Sequence, residues 1–165
     1  MSQWRTLQAQ WAGRWMRFVP ADSDEPLPPP RYVVVLISDE AGRYLLANIQ
    51  ARGYCAPSGH IEPGESPEAA ARREAYEETG AVLAQLHILG AYVLSPCSPD
   101  EPEPCSAPVY LARAERIDPL GAESESRGIQ WATLEELPAL YYDWSPLLEA
   151  VFAYAEQRRR ALREW

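Results

Sequence analysis

The sequence predicts one mixed α/β domain. Residues 32–37 and 44–49 are rich in β-branched and other apolar side chains and are bounded by turn residues, which is typical of strands. Residues 67–79 carry the start and stop signals of a helix. The chain has 165 residues, of which 47% are hydrophobic, enough for one compact core and too few for two comfortable domains.

Residues 1–19 are predicted to form an extra N-terminal amphipathic helix. Its apolar residues recur at steps of three and four, and they are Trp4, Leu7, Trp11, Trp15 and Phe18. This stripe must be covered, and a homodimer interface, a wall of a binding pocket and packing on its own domain all stay open. Residues 20–30 contain five prolines and predict a linker arm, so the chain divides into 1–30 and 31–165.

The remaining elements follow in chain order. The strands 32–37 and 44–49, with a short turn between them, predict a β-hairpin. Ser66 is a good N-cap, Pro67 suits a first helical turn and Gly80 is a natural stop, so a helix is predicted from Pro67 to Thr79. The further predicted elements are strands at 83–94, 109–114 and 129–133, a Pro-rich loop at 95–105, a short helix at 134–140 and an amphipathic helix at 144–163.

The charge balance excludes several classes of function. The chain has 15 basic and 24 acidic residues and a net charge of -9, so most of its surface would repel a nucleic acid polymer. All of the basic residues are arginine, which excludes a lysine nucleophile or a phosphate-binding lysine. A small nucleotide accompanied by a divalent cation is a better partner.

Cysteine usage and hydropathy predict a cytoplasmic protein. The three cysteines form no Cys-x-x-Cys pair, and the N-terminus lacks the pattern of a secretory signal. No apolar run approaches the ~20 residues that a membrane span requires, so no membrane association is expected.

The segment 59–81 carries the strongest functional signal. It places Gly59, Glu65, Arg73-Glu74, Glu77-Glu78 and Gly80 at fixed spacings. Positions three and four apart share a helix face, so the carboxylates of Glu74, Glu77 and Glu78 must project into one small region. An isolated Glu-x-x-Glu-Glu is more often a solvated acidic helix face. Here Gly59, Glu65, Arg73 and Gly80 also stand at the required spacings, which favours a metal site. Hard oxygen ligands without His or Cys partners select Mg²⁺ or Mn²⁺ over zinc.

This segment resembles the signature box of the Nudix hydrolases, with every charged and glycine position filled. Its departures are Ala81, where the box usually has a larger aliphatic residue, and Ser58, where many relatives have a second glycine. The resemblance implies a Nudix-type α/β/α sandwich with a mixed sheet over residues 31–165. It also implies an enzyme, a pyrophosphohydrolase in which water attacks one phosphorus of a diphosphate and divalent metal ions neutralise the developing charge.

The resemblance also implies roles for individual residues. The metal ligands would be Glu74, Glu77 and Glu78, with a backbone carbonyl at Gly59 or its neighbour Ser58. Glu65 and Arg73 would form a charge-assisted pair that holds the loop to the helix, and Gly80 would end that helix.

The general base that activates the water stays open between two places. It is either a glutamate of the box helix or one in a later loop, where Glu123 and Glu125 are available. The sequence does not choose between them.

The substrate is predicted less closely. The segments Ser95-Pro96 and Pro57-Ser58-Gly59 resemble those of ADP-ribose pyrophosphatases, which favours ADP-ribose or a nucleotide sugar. The alternatives are a pyrophosphatase that removes normal or oxidised nucleoside triphosphates, and a non-catalytic nucleotide sensor. Substrate-binding residues are not identified. The aromatic residues available for stacking on a base are Tyr54, Tyr92, Tyr110, Tyr141 and Tyr142.

Overall fold

The computed structural model describes residues 3–96, 100 and 102–162. In this part of the chain the helices and strands follow one another in a strand-rich order. They are α1 (Gln3–Thr6), β1 (Ala9–Trp11), β2 (Arg14–Pro20), β3 (Tyr32–Ile37), β4 (Tyr44–Ile49), β5 (Gly53–Cys55), β6 (Ser58–His60), α2 (Pro67–Thr79), β7 (Ala81–Leu94), β8 (Cys105–Ile117), β9 (Ser126–Ala132), α3 (Leu137–Leu140) and α4 (Pro146–Ala161).

The strands form two sheets. The larger sheet has the order β1-β2-β7-β8-β3-β6, and the smaller has the order β5-β4-β9. β3 pairs with β8 in parallel, whereas the neighbouring pairs of both sheets are antiparallel, so the larger sheet is mixed. The predicted mixed α/β fold is confirmed.

Helices α2 and α4 cover opposite faces of the sheets, because alternate side chains of strand β3 pack with one helix or the other. Val33, Val35 and Ile37 belong to the apolar cluster that includes the alanines of α2. Val34 and Leu36 belong to the other cluster, which includes Phe152 of α4. Because successive side chains of a strand point to opposite faces, a strand buried on both faces becomes a continuous apolar run.

The predicted helix over residues 1–19 is wrong. Helix α1 ends at Thr6, and residues 9–20 form the hairpin β1-β2, whose second strand pairs with β7. In β2 the buried residues Met16 and Phe18 alternate with Trp15 and Arg17, which is the period of a strand. The helical spacing was misleading because strand pairing with the free edge of β7 supplies backbone hydrogen bonds that an isolated amphipathic helix would have to make alone.

The predicted hairpin of 32–37 with 44–49 is also wrong. β3 lies in the larger sheet and β4 in the smaller, and they share an isolated bridge between Ser38 and Tyr44. Both strands are buried along most of their length, so each can be covered from two sides and need not pair with its neighbour in sequence.

Most other predicted elements are confirmed with shifted ends. The strand predicted at 109–114 is the centre of the longer β8, and β7 begins two residues before the predicted Leu83. β9 begins earlier than predicted, whereas α3 and α4 begin later than predicted. No helix in the described ranges is both long and apolar enough to cross a membrane.

Helix α2 begins and ends as predicted. The Ser66 side chain accepts a hydrogen bond from the Ala69 backbone N–H, and Gly80 adopts φ 79° while its N–H donates to the Tyr76 carbonyl. The turn at Gly80 sends the chain directly into β7.

We predict that Gly80→Ala destabilises the protein much more than Gly64→Ala. Both glycines have φ +79°, so both substitutions incur the left-handed penalty of roughly 1–2 kcal/mol. A Cβ at Gly80 would also lie 1.9 Å from the Asp118 carbonyl oxygen, whereas a Cβ at Gly64 meets nothing within 4 Å. Urea unfolding of both variants measures the difference, and equal losses would show that the close approach of Asp118 to Gly80 does not limit the side chain there.

Candidate functional site

The three predicted carboxylates of helix α2 differ in their exposure to solvent. Glu78 is buried at 7% relative exposure, and the Glu74 side chain is 12% exposed. The Glu77 side chain is 55% exposed. Burial raises the pKa of Glu74, and it raises the pKa of Glu78 to about 8, with the nearby charge of Glu74 as a further cause. Two partly or wholly buried acids on one helix face are therefore electrostatically costly in the absence of a cation.

Glycine at position 59 is what allows the loop to approach this helix. A Cβ built on Gly59 would lie 2.1 Å from the Glu74 carboxyl carbon. Gly59 is the central residue of β6, which pairs with Val33 of β3. The strand therefore brings its backbone directly against the Glu74 carboxylate.

Arg73 ties the loop to the helix, as the resemblance to the Nudix box implies. Its Nε donates to Glu65 Oε2 at 2.8 Å and its Nη2 donates to Glu65 Oε1 at 2.9 Å, a bidentate pair. Nη2 also donates to the His60 carbonyl at 2.9 Å, and Nη1 donates to Glu74 Oε1 at 2.9 Å. The Arg73 guanidinium lowers the pKa of Glu65 to about 2, so Glu65 stays ionised at neutral pH.

Glu78 is held at the other side of Gly59. The Ser58 backbone N–H donates to Glu78 Oε1 at 3.0 Å. Glu74 and Glu78 thus contact two successive residues of β6, and the short strand lies against both carboxylates. This arrangement comes from the β3-β6 pairing, which the sequence did not predict.

The residues at this site fit a divalent cation. In the described ranges, no three acidic, His or Cys side chains are already arranged as ligands around one point. The fit comes from the donor set: one buried and one partly buried carboxylate with raised pKa values, a third exposed one, and a backbone brought close by a glycine. A hard cation would relieve the repulsion among the carboxylates and would find the oxygen ligands that Mg²⁺ and Mn²⁺ prefer.

The loop that contains Glu123 and Glu125 lies against the end of α2. The Ser124 hydroxyl donates to the Glu77 carbonyl at 2.7 Å, and the Gln50 N–H donates to the Glu125 carbonyl at 2.9 Å. The charge of Glu125 contributes to the raised pKa of Glu78, so these two side chains interact. The loop that carries Glu125 therefore lies beside the end of the helix that carries the three carboxylates.

A partly aromatic cleft adjoins the cluster through Ser58. Five parts of the chain line it: the N-terminal hairpin, Val34 and Leu36 of β3, the segment 52–58, Tyr92 of β7 and the segment 141–152. The lining residues include Trp11, Arg52, Ser58, Tyr92, Tyr142 and Asp143. Asp143 Oδ1 is buried and has no hydrogen-bond partner among the residues that the structure describes.

Three of the five tyrosines considered for base stacking line this cleft, namely Tyr92, Tyr141 and Tyr142. Tyr110 lies in the apolar cluster beside α2 instead. Arg52, Asp143 and Met16 also line the cleft but were not identified from the sequence. No local pattern could have found them, because the folding of separate segments brings them together.

The comparisons with known proteins identify the family. The family model of the Nudix domain matches residues 28–153. A Bacillus subtilis protein, YtkD, provisionally named an 8-oxo-dGTP diphosphatase, is 42% identical over 69 residues, which are 42% of this chain and 44% of YtkD. An oxidized purine nucleoside triphosphate hydrolase from Danio rerio is 28% identical over 128 residues, 72% of this chain and 79% of the relative.

Solved structures show the same fold. The Bacillus subtilis pyrophosphohydrolase BsRppH, as its E68A mutant, superposes with a TM-score of 0.70 at 23% identity. The superposition covers 94% of this chain and 97% of that one. The domain match extends over more than half of the sequence and shows that the chain belongs to the Nudix hydrolase family.

Proposed function

We propose that this protein is a divalent-metal-dependent pyrophosphohydrolase that cleaves the diphosphate linkage of a small nucleotide. The observation that carries the proposal is the packing of the Gly59 backbone against the carboxylates of Glu74 and Glu78. Glu74, Glu77 and Glu78 would hold Mg²⁺ or Mn²⁺, with a backbone carbonyl of Gly59 or Ser58. The bound cation would neutralise charge on the phosphoryl oxygens.

The residues around the cluster have separate tasks in this proposal. Arg73 and Glu65 hold the loop and helix in register, so that the carboxylates need little rearrangement. Of the two loop glutamates, Glu125 is the better candidate for the general base, because its charge acts on Glu78. A glutamate of the box helix remains the alternative.

The cleft beside the cluster suits the base of the nucleotide. Aromatic rings provide stacking surfaces, and the unpartnered Oδ1 of Asp143 can accept a hydrogen bond from a base N–H. Arg52 also lines the cleft, and its charge acts on both Asp143 and Glu78. We therefore assign Arg52 a position between the base end and the phosphate end of a bound nucleotide.

Oxidised purine nucleoside triphosphates are the first substrates to test. The names of the Bacillus and Danio relatives favour them, and the unpartnered Oδ1 of Asp143 can accept a hydrogen bond from one N–H donor of a guanine edge. ADP-ribose and nucleotide sugars remain the second class. The Ser95-Pro96 cue for that class stays untested: Ser95 bonds to Trp15 of β2, and residues 97–99 and 101 of the loop that follows lie outside the described ranges.

We expect a metal-dependent release of phosphorylated product. The panel comprises 8-oxo-dGTP, dGTP, ADP-ribose, a nucleotide sugar and a dinucleoside polyphosphate, each with Mg²⁺, with Mn²⁺ and with EDTA. EDTA should remove activity and either cation should restore it. Binding of a nucleotide without turnover across the panel would contradict the proposal and support a sensor instead.

A further inference from the structure

We propose that Trp11 is a substrate-positioning residue that stacks on the base of the bound nucleotide. This deepens the proposed function and rests on it. Trp11 ends β1 in the N-terminal hairpin. It therefore lies before residue 28, where the match to the Nudix domain begins. Trp11 nevertheless lines the same cleft as Ser58, whose N–H bonds to Glu78.

The position of Trp11 is set by a tight turn. Trp11 pairs with Arg14 across the two-residue turn Ala12-Gly13, whose φ values of 50° and 80° match a type I′ hairpin. The buried Arg14 donates from Nη1 to the Cys105 Sγ at 2.8 Å, which holds the hairpin to β8. β2 is also hydrogen-bonded to β7. The indole is therefore attached to the rigid sheet by a short connection.

Aromatic contacts link Trp11 to the phosphate end of the site. Its ring lies 5.5 Å from that of Tyr32 in an edge arrangement, and the Tyr32 ring lies 4.5 Å from that of His60. Tyr32 is the β3 partner of His60, which follows Gly59 directly. A base held against Trp11 would therefore place its phosphates toward the strand that faces Glu74 and Glu78.

The N-terminal aromatic residues differ in solvent exposure and in the surface that they line. Trp4 and Phe18 are buried in the core, with ring centroids 4.9 Å apart. Trp15 is 54% exposed and lines a different groove with Val93 and Ser95. Trp11 is half-buried and lines the cleft. Trp15 is thus a matched control, since it has the same side chain on the same hairpin without access to the cleft.

Equilibrium binding measures the role of Trp11 without requiring turnover. The probes are a non-hydrolysable 8-oxo-dGTP analogue with a methylene bridge, and inorganic triphosphate as a base-free ligand, both with Mg²⁺. We expect Trp11→Ala to weaken binding of the nucleotide about 10- to 100-fold, as expected for the loss of one stacked base, and to leave triphosphate binding unchanged. Trp11→Phe should retain most of the affinity, and Trp15→Ala should bind like the unchanged protein.

Two results would overturn the proposal. Equal nucleotide affinity in Trp11→Ala and the unchanged protein would show that the indole does not contact the base. Equal losses for the nucleotide and for triphosphate would show that Trp11 acts only through the structure of the site. If nucleotide binding depends on Trp11 but no substrate is hydrolysed, this inference stands and the proposed function fails. If Trp11→Ala hydrolyses and binds the nucleotide normally, the proposed function stands and this inference fails.

Discussion

Replacing Glu78 by Gln is expected to lower the rate of hydrolysis by about 10³-fold. Without metal, the variant is expected to be more stable at alkaline pH than the protein that carries Glu78. Glu78 is 7% exposed, and burial raises its pKa from 4.5 to about 8. A carboxyl with a raised folded-state pKa favours folding below its ordinary pKa, and this contribution is lost as pH rises through the folded value. The free energy of unfolding should therefore fall between about pH 4.5 and pH 8 in the unchanged, metal-free protein.

Glu78→Gln removes this titration, so its stability curve should be flatter by on the order of a few kcal/mol. Mg²⁺ should restore stability to the unchanged protein at pH 8 and have a smaller effect on the variant. Urea unfolding at several pH values, with and without Mg²⁺, measures both effects.

Glu77→Gln is the matched control for stability, because it removes the same charge from the neighbouring position of the same helix. Its side chain is 55% exposed, so the pH dependence of unfolding should change little, although hydrolysis should also fall. If Glu78→Gln hydrolyses at the original rate, the assignment of the metal site is wrong. If its stability curve keeps the original slope, the burial of Glu78 is not the source of that slope.

Gly59→Ala is expected to lower kcat/KM about 100-fold or more, because even a ~1 Å displacement in an active site can cost that much. The added Cβ would lie 2.1 Å from the Glu74 carboxyl carbon, so either β6 or the Glu74 side chain must move. Such a movement would separate the strand backbone from the carboxylates that are proposed to share a cation. Steady-state kinetics with saturating Mg²⁺, together with Mg²⁺ titration, measures the effect.

Gly121→Ala provides the control for that substitution. The backbone at Gly121 lies outside the left-handed region, and a Cβ there meets nothing within 4 Å, so activity should stay near that of the unchanged protein. A Gly59→Ala variant with kcat/KM close to that of Gly121→Ala would show that close approach of β6 to Glu74 is not required for catalysis.

Local sequence signals predicted correctly those features that residues close together in the chain specify. The N-cap at Ser66 and the stop at Gly80 are present as predicted, and so is the Glu65–Arg73 pair that the family resemblance implies. Capping depends on residues within one helical turn, and the ion pair joins residues eight positions apart, so distant segments are not needed to specify them. Dimerisation and the cytoplasmic location stay predictions.

The same local signals failed where strand pairing decides the outcome. The apolar spacing of Trp4, Trp11 and Phe18 fits a helix, but β2 instead pairs with the edge of β7. The segments 32–37 and 44–49 are strands, but they pair with β8 and β9 instead of each other. The partner of a strand is chosen by the whole sheet, and periodicity within the strand does not identify it.

The sequence by itself determined the segment that carries the site: the box from Gly59 to Ala81 resembles that of the Nudix hydrolases, and its helix, with a period of about 3.6 residues, brings Glu74, Glu77 and Glu78 into one region. Tertiary structure alone decided how deeply each carboxylate is buried and what lies beside them. The β3-β6 pairing places Gly59 against Glu74, and the N-terminal hairpin places Trp11 in the cleft with Asp143. These contacts join residues far apart in the chain, and they exist only after the sheets have formed.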